Sequence, residues 1–133
     1  MIMKVLFDRE RAFLELLLEV GRHHPGGVAL AEVARRRGLP EPYVRRLAAE
    51  LARRGILHTR RGRGGGARLG TAPERIRLER VLESPSPPPP GGSPAVTRLE
   101  EELAKARRDL LARRTLADLL AWERAAFPLE YVI

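Results

Sequence analysis

The chain has 133 residues, no cysteine, and 25 Lys+Arg against 17 Asp+Glu, a formal net charge of +8. That length suits one small core with appendages rather than two independent ones. Without cysteine there is no disulfide, thiolate nucleophile or thiolate metal site. No apolar run approaches the roughly 18 residues of a membrane span and residues 1–7 are too short for a signal-peptide core, so the cytoplasm is the expected location.

Residues 8–20 read as a helix, with Asp8 placed to cap it and Phe13, Leu16, Leu17 and Val20 repeating on one face. Gly21 and Pro25-Gly26-Gly27 stop it, and Val28 is a candidate for a strand of one or two residues. Leu30, Val33 and Ala34 mark a short helix over 30–37, followed by the tight turn Gly38-Leu39-Pro40. A third helix starts at Pro42, buries Val44, Leu47, Ala48 and Leu51, and ends at Gly55. Strands are predicted over 56–60 and 67–69, joined by Arg61-Gly62-Arg63-Gly64-Gly65-Gly66. Ile76, Leu78, Val81 and Leu82 predict a short helix over 74–83.

Residues 84–94, rich in Pro, Gly and Ser, form a linker between a unit over 1–83 and a helical unit over 95–133. Ser93 is placed to cap the next helix. In it Val96, Leu99, Leu103, Ala106 and Leu110 are spaced 3, 4, 3, 4, two heptads of a and d positions, with Glu101 and Lys105 as an outer ion pair. Thr115 with Asp118 reads as a capping box opening a last helix through Leu116, Leu119, Leu120 and Trp122.

Helix, short helix, turn, helix and hairpin is the order of a winged helix-turn-helix, and the fold class is mainly α with a small β wing. The charge sits where such a domain would meet DNA. Residues 35–68 hold 11 Arg against Glu41 and Glu50, whereas residues 84–133 hold seven cations and seven acids. A basic segment beside a neutral half points to a polyanion. On the third helix Pro42, Arg46, Ala49 and Arg53 lie opposite the buried stripe, with Arg45 on the flank. Arg45 and Arg46 are the expected base readers, of guanine edges, and Arg53 and Arg54 phosphate contacts. Gly64, Gly65 and Gly66 let a thin loop present Arg61 and Arg63 to a minor groove roughly 6 Å wide. Arg35, Arg36 and Arg37 form either a solvated helix end or a further DNA contact.

Several stretches resemble the iron–sulfur-cluster regulator (IscR) family of bacterial repressors. They are Leu30-Ala31-Glu32-Val33-Ala34, Tyr43, Leu51 with Gly55-Ile56-Leu57, Arg61-Gly62 with Gly64-Gly65-Gly66 and Leu69, Glu79-Arg80-Val81-Leu82, and Thr115-Leu116-Ala117-Asp118-Leu119. The resemblance implies a homodimer, paired through the helix after the linker, on a palindromic DNA site. The heptad reading of 96–110 agrees with it. The resemblance places base-reading and wing contacts on Glu41, Pro42, Arg45, Arg46 and Arg61, and the full expected DNA-binding set adds Arg36, Arg37, Tyr43, Arg53, Arg63, Gly64 and Gly65. The family's sensors hold a cluster with three cysteines before the long helix; here that stretch has neither Cys nor His, so no cofactor is expected. Arg63 replaces the usual wing proline, Ala67 the usual aromatic, and Asp8-Arg9-Glu10-Arg11 an early Lys-Gly-Arg pattern.

Other classes fit less well. The glycine loop lacks the Gly-Lys-Ser/Thr ending of a nucleotide cradle. His23, His24 and His58 have no ligand spacing, so no metal site is expected, and no nucleophile setting marks an enzyme. Only Tyr43 interleaves the basic stretch, which leaves no stacking platform for RNA. The alternative function is a regulatory module that binds a metabolic enzyme or other protein, for which the apolar end at Tyr131-Val132-Ile133 offers a surface.

Overall fold

Three of the four apolar positions that open the chain's periodicity, Leu16, Leu17 and Val20, are fully buried on α1 (Asp8–Gly21), and Phe13 is nearly so. The computed structural model describes residues 5–61, 66–82 and 89–131, of Glu130 and Tyr131 the backbone alone. Phe7, not Asp8, is the residue before the first helical turn. Its N–H donates to Glu10 Oε1 at 3.0 Å, the return half of a capping box.

α2 (Leu30–Arg37) stops at Gly38, whose φ of 65° is left-handed. α3 (Glu41–Arg53) buries Val44, Leu47, Ala48 and Leu51, the stripe read from the spacing. Its end is a Schellman motif: Gly55 N–H donates to Ala52 and Ile56 N–H to Leu51, each at 3.0 Å, with Gly55 at φ 77°. These two bonds fix where the chain leaves the helix and enters the hairpin.

β1 (Leu57–Arg60) and β2 (Gly66–Leu69) are antiparallel, in the register Leu57↔Leu69, His58↔Arg68, Thr59↔Ala67 and Arg60↔Gly66. Val28 adds a one-residue bridge to Ala67, with reciprocal bonds of 2.9 and 2.8 Å. That approach leaves no room beside Gly66, where a Cβ would lie 2.3 Å from the Val28 carbonyl oxygen. Leu57, Ala67 and Leu69 are buried, while His58, Arg60 and Arg68 alternate onto the open face.

The helix expected over 74–83 is not formed. Two 3-10 turns, Pro73–Arg75 and Leu78–Arg80, stand in its place. The backbone between them is used elsewhere: Leu78 N–H donates to Arg114 and Leu116 N–H to Ile76, both at 2.9 Å, and Arg77 bridges Thr115. Those groups cannot also close an α-helix. Ile76, Val81 and Leu82 are buried nonetheless, because the segment lies against the core.

α4 (Pro94–Arg113) follows the linker. Ser93 is its cap residue but makes no side-chain bond. Lys105 pairs with Asp109 at 2.7 Å rather than with Glu101, and Arg98 with Glu102 at 3.7 Å. Both acids were four residues from Lys105, and the sequence could not choose between them. Arg107 reaches Glu10 at the start of α1, and Leu111 packs on the core. α5 (Leu116–Ala126) starts with the expected capping box: Thr115 N–H donates to Asp118 at 3.0 Å and Asp118 N–H to Thr115 Oγ1 at 3.4 Å. Leu116 and Leu120 then close over the end of α1, so both ends of the chain contribute to one core.

Candidate nucleic-acid interface

The outward face of α3 and the hairpin meet in one cleft. Arg45 and Ala49 of α3, Ala29 and Leu30 at the start of α2, and Thr59, Arg60, Arg61 and Gly66 of the hairpin all line it. Among the described residues no carboxylate lines it. Pro42, Arg45, Arg46, Ala49 and Arg53 are exposed on α3, as are Arg60 and Arg61 at the end of β1. Glu41 and Tyr43 are half-buried at the start of α3. Arg63, Gly64 and Gly65 lie outside the described residues.

Ion pairing divides the basic segment into two groups. Arg37 is drawn inward: its side chain is 12% exposed, it donates twice to Glu123 of α5 at 2.8 Å, and it reaches Glu15 at 3.0 Å and Glu19 at 3.1 Å on α1. Burial alone would lower its pKa, but Glu123, Glu19 and Glu15 outweigh burial and hold it above the ordinary arginine value. Arg36 lies 3.2 Å from Glu19, whose side chain is 1% exposed and which also meets Arg22 and His23. Arg54 pairs with Glu50 at 2.8 Å, donates to the Val81 carbonyl at 3.2 Å and lies 5.4 Å from the centre of the Phe13 ring. It therefore joins α3 to the 3-10 segment and α1, the place where sequence reading had put a phosphate contact. Arg35 pairs with Glu32 along α2.

The second group keeps its charge toward solvent. Among the described residues Arg45 pairs along its own helix, with Glu41, and its side chain stays exposed. Arg46 stacks 5.7 Å from the centre of the Tyr43 ring, a cation–π contact that holds it at the head of α3. Among the described residues Arg53, Arg60, Arg61 and Arg68 make no ion pair. The sequence count of +9 over 35–68 missed this division because the carboxylates that neutralise Arg36 and Arg37 come from α1 and α5, far outside the counted window. The periodicity of α1 held the one available signal, since Glu15 and Glu19 stand four residues apart beside its apolar stripe.

The family model described as iron-dependent transcriptional regulator, Rrf2, matches residues 8–122. The chain belongs to the Rrf2 family. CymR of Bacillus subtilis is 30% identical over 116 residues, 82% of this chain and 84% of that protein. The solved structure of CymR, the global cysteine regulator of B. subtilis, superposes with a TM-score of 0.73 at 26% identity, covering 90% of this chain and 98% of that one. An IscR of T. potens superposes with a TM-score of 0.76 at 25% identity, covering 94% and 91%. The IscR transcriptional regulator of Aliivibrio salmonicida is 32% identical over 80 residues, 59% of this chain. The match spans about half the length of that curated relative, 48%. The resemblance to IscR regulators and the winged helix-turn-helix architecture read from the sequence both hold. The relatives are named as transcriptional regulators, not as enzymes.

Iron in the family description poses a question of fit. A cysteine-ligated cluster has no ligands here, because the chain has no cysteine. Among the described residues no three His, Asp or Glu side chains are grouped to hold a metal ion. Glu15, Glu19 and Glu123 instead surround the guanidinium of Arg37. A resident metal does not fit these donors. No described helix is long and apolar enough to cross a membrane.

Proposed function

We propose that this Rrf2-family chain is a sequence-specific double-stranded DNA-binding transcription regulator that acts as a homodimer and without a cysteine-ligated iron–sulfur cluster. The observation that carries the reading is the cleft shared by Arg45 of α3 with Arg60 and Arg61 of the hairpin, lined by no acid among the described residues. A helix in the major groove and a wing beside it need their cations on one surface. In this reading Arg45 and Arg46 read base edges, with Glu41, Pro42 and Tyr43 shaping the head of the helix. Arg53 contacts phosphate. Arg61 enters the minor groove, with Arg63, Gly64 and Gly65 completing the wing. Arg37 belongs to the fold rather than to DNA, and Arg36 is shared with Glu19.

The homodimer is supported by α4. Val96, Leu99, Leu103 and Leu110 are each 50–62% exposed, although they lie on one seam. Ala106 is exposed on the same seam. An a/d stripe left in water favours a mate. The reading is tested by affinity for a duplex at increasing salt. Neutralising phosphates releases counterions, so log K should fall linearly with log salt, with a slope of about −0.9 per phosphate contact. A flat dependence would overturn DNA binding through these arginines.

A further inference from the structure

The side chain of Glu123 is 15% exposed and that of Arg37 12%. Two guanidinium nitrogens of Arg37 donate to the two carboxylate oxygens of Glu123, each at 2.8 Å. Such a fork fixes the angle between its partners as well as their distance. The apolar side of α5 packs elsewhere, with Leu116 and Leu120 over Gly21 at the end of α1. Glu123 therefore gives α5 a hold on the last residue of α2, directly before the Gly38 turn that leads into α3. At its other end α5 follows α4 with only Arg114 and Thr115 between them. That corner is pinned by the Leu78 N–H on the Arg114 carbonyl, the Leu116 N–H on the Ile76 carbonyl and the Thr115–Asp118 box. A path of directional bonds thus joins α4 to the turn before α3. Stability alone is a poor reason for the pair, since desolvating two charges offsets most of their attraction and an apolar pair of similar volume would hold as well. Orientation is what the forked pair adds.

We propose that Glu123 is a positioning residue for DNA recognition: through Arg37 it sets the angle of α2 and α3 against α4, and so the distance between the two α3 helices of a dimer. The inference rests on the homodimeric DNA-binding reading above. Neither Glu123 nor Arg37 lines the recognition cleft. In a dimer each α3 must enter the major groove at its own half-site, and the spacing of half-sites is read through the distance between the helices rather than through a base contact. Loosening the tie between α2 and α5 leaves each α3 with its arginines but lets the two swing against one another. The signature is a broadened spacing preference with unchanged reading of a single half-site.

The test measures the affinity of the full chain for duplexes carrying two selected half-sites, spaced in steps of one base pair, and for a duplex carrying one. Glu123→Gln removes a charge from Arg37 on the α5 side. Glu15→Gln removes the same charge from the same guanidinium on the α1 side, where the core already holds α1 to α2. Both variants raise the net charge by one, so any general gain in attraction to DNA is shared. Thermal unfolding checks folding, and Glu123→Asp, which keeps the charge and shortens the reach, takes the place of Glu123→Gln if that variant unfolds. Relative to Glu15→Gln, Glu123→Gln should lose about tenfold on the preferred spacing, lose less on the neighbouring spacings and match it on the single half-site. Its log K against log salt slope should be unchanged, because no phosphate contact is removed. Glu15→Gln should keep the wild-type spacing profile. A wild-type profile in Glu123→Gln overturns this inference and leaves the DNA-binding reading intact. Equal loss on the single half-site and at every spacing makes Glu123 a support of the fold alone and overturns it, as does equal broadening in Glu15→Gln. A wild-type chain that binds two half-sites no better than one overturns the homodimeric reading, and this one with it.

Discussion

Arg45 and Arg53 lie about two turns apart on α3, so in the proposed reading they meet different parts of a duplex. In that reading Arg45 and Arg46, at the head of the helix, reach base edges, and Arg53 meets phosphate where the helix leaves the groove. Arg46→Ala is expected to cost about 1–3 kcal/mol on the selected site and to relax preference at one base position, whereas Arg53→Ala should weaken all sequences alike. Titrations against matched and scrambled duplexes separate the two outcomes. The inward arginines make the opposite prediction, for stability rather than affinity. Glu19 is 1% exposed and shared by Arg22, Arg36 and Arg37. Removing its charge takes the most buried carboxylate out of this ion cluster while Glu15 and Glu123 still face Arg37, so Glu19→Gln should destabilise the fold by about 1–3 kcal/mol, read by urea unfolding. Glu50 adds a pH dependence. The hydrogen bond from Arg9, opposed by burial and aided by Arg54, holds its carboxyl below the ordinary value. A carboxyl depressed on folding adds stability above its unfolded pKa, and that stability is lost as pH falls through the folded value. Glu50→Gln should therefore flatten the loss of stability below about pH 4.5.

At the scale of elements, the hairpin depends on one close backbone approach. A Cβ on residue 66 would lie 2.3 Å from the Val28 carbonyl oxygen, so Gly66→Ala must displace either β2 or the Val28 bridge. A loss of about 1–3 kcal/mol is expected, with DNA affinity reduced further than stability alone would explain. Thermal unfolding and duplex titration on the same variant check both parts. The elements with strong internal signals were legible from the sequence. The α3 stripe, Gly55 after its end, the Thr115–Asp118 box and the paired strands each follow from residues a few positions apart. The turns around Ile76 were not, because their backbone partners lie at residues 114–116 and no local pattern reveals a bridge across forty residues. The cap of α1 was misplaced by one residue for a related reason: Asp8 and Glu10 are both acids suited to a first turn, and only geometry shows which one meets an open N–H.

Considered whole, the proposed recognition cleft of α3 and the hairpin and the exposed apolar seam of α4 are joined through one core, to which α1 and α5 both contribute. The Arg37–Glu123 pair holds α2 to α5, and Arg107–Glu10 holds α4 to α1. If α4 pairs with its mate, Leu99→Asp with Leu103→Asp should give a folded monomer by sedimentation, and its affinity for a palindromic site should drop to that for a half-site. Two copies related by a two-fold axis must then present their α3 helices to half-sites about one helical turn apart. Selecting bound fragments from a random DNA pool and sequencing them tests this most directly. An inverted repeat with half-sites centred about 10 bp apart, or a multiple of that, is expected. Enrichment of a single asymmetric element, or no enrichment over the input pool, would contradict it.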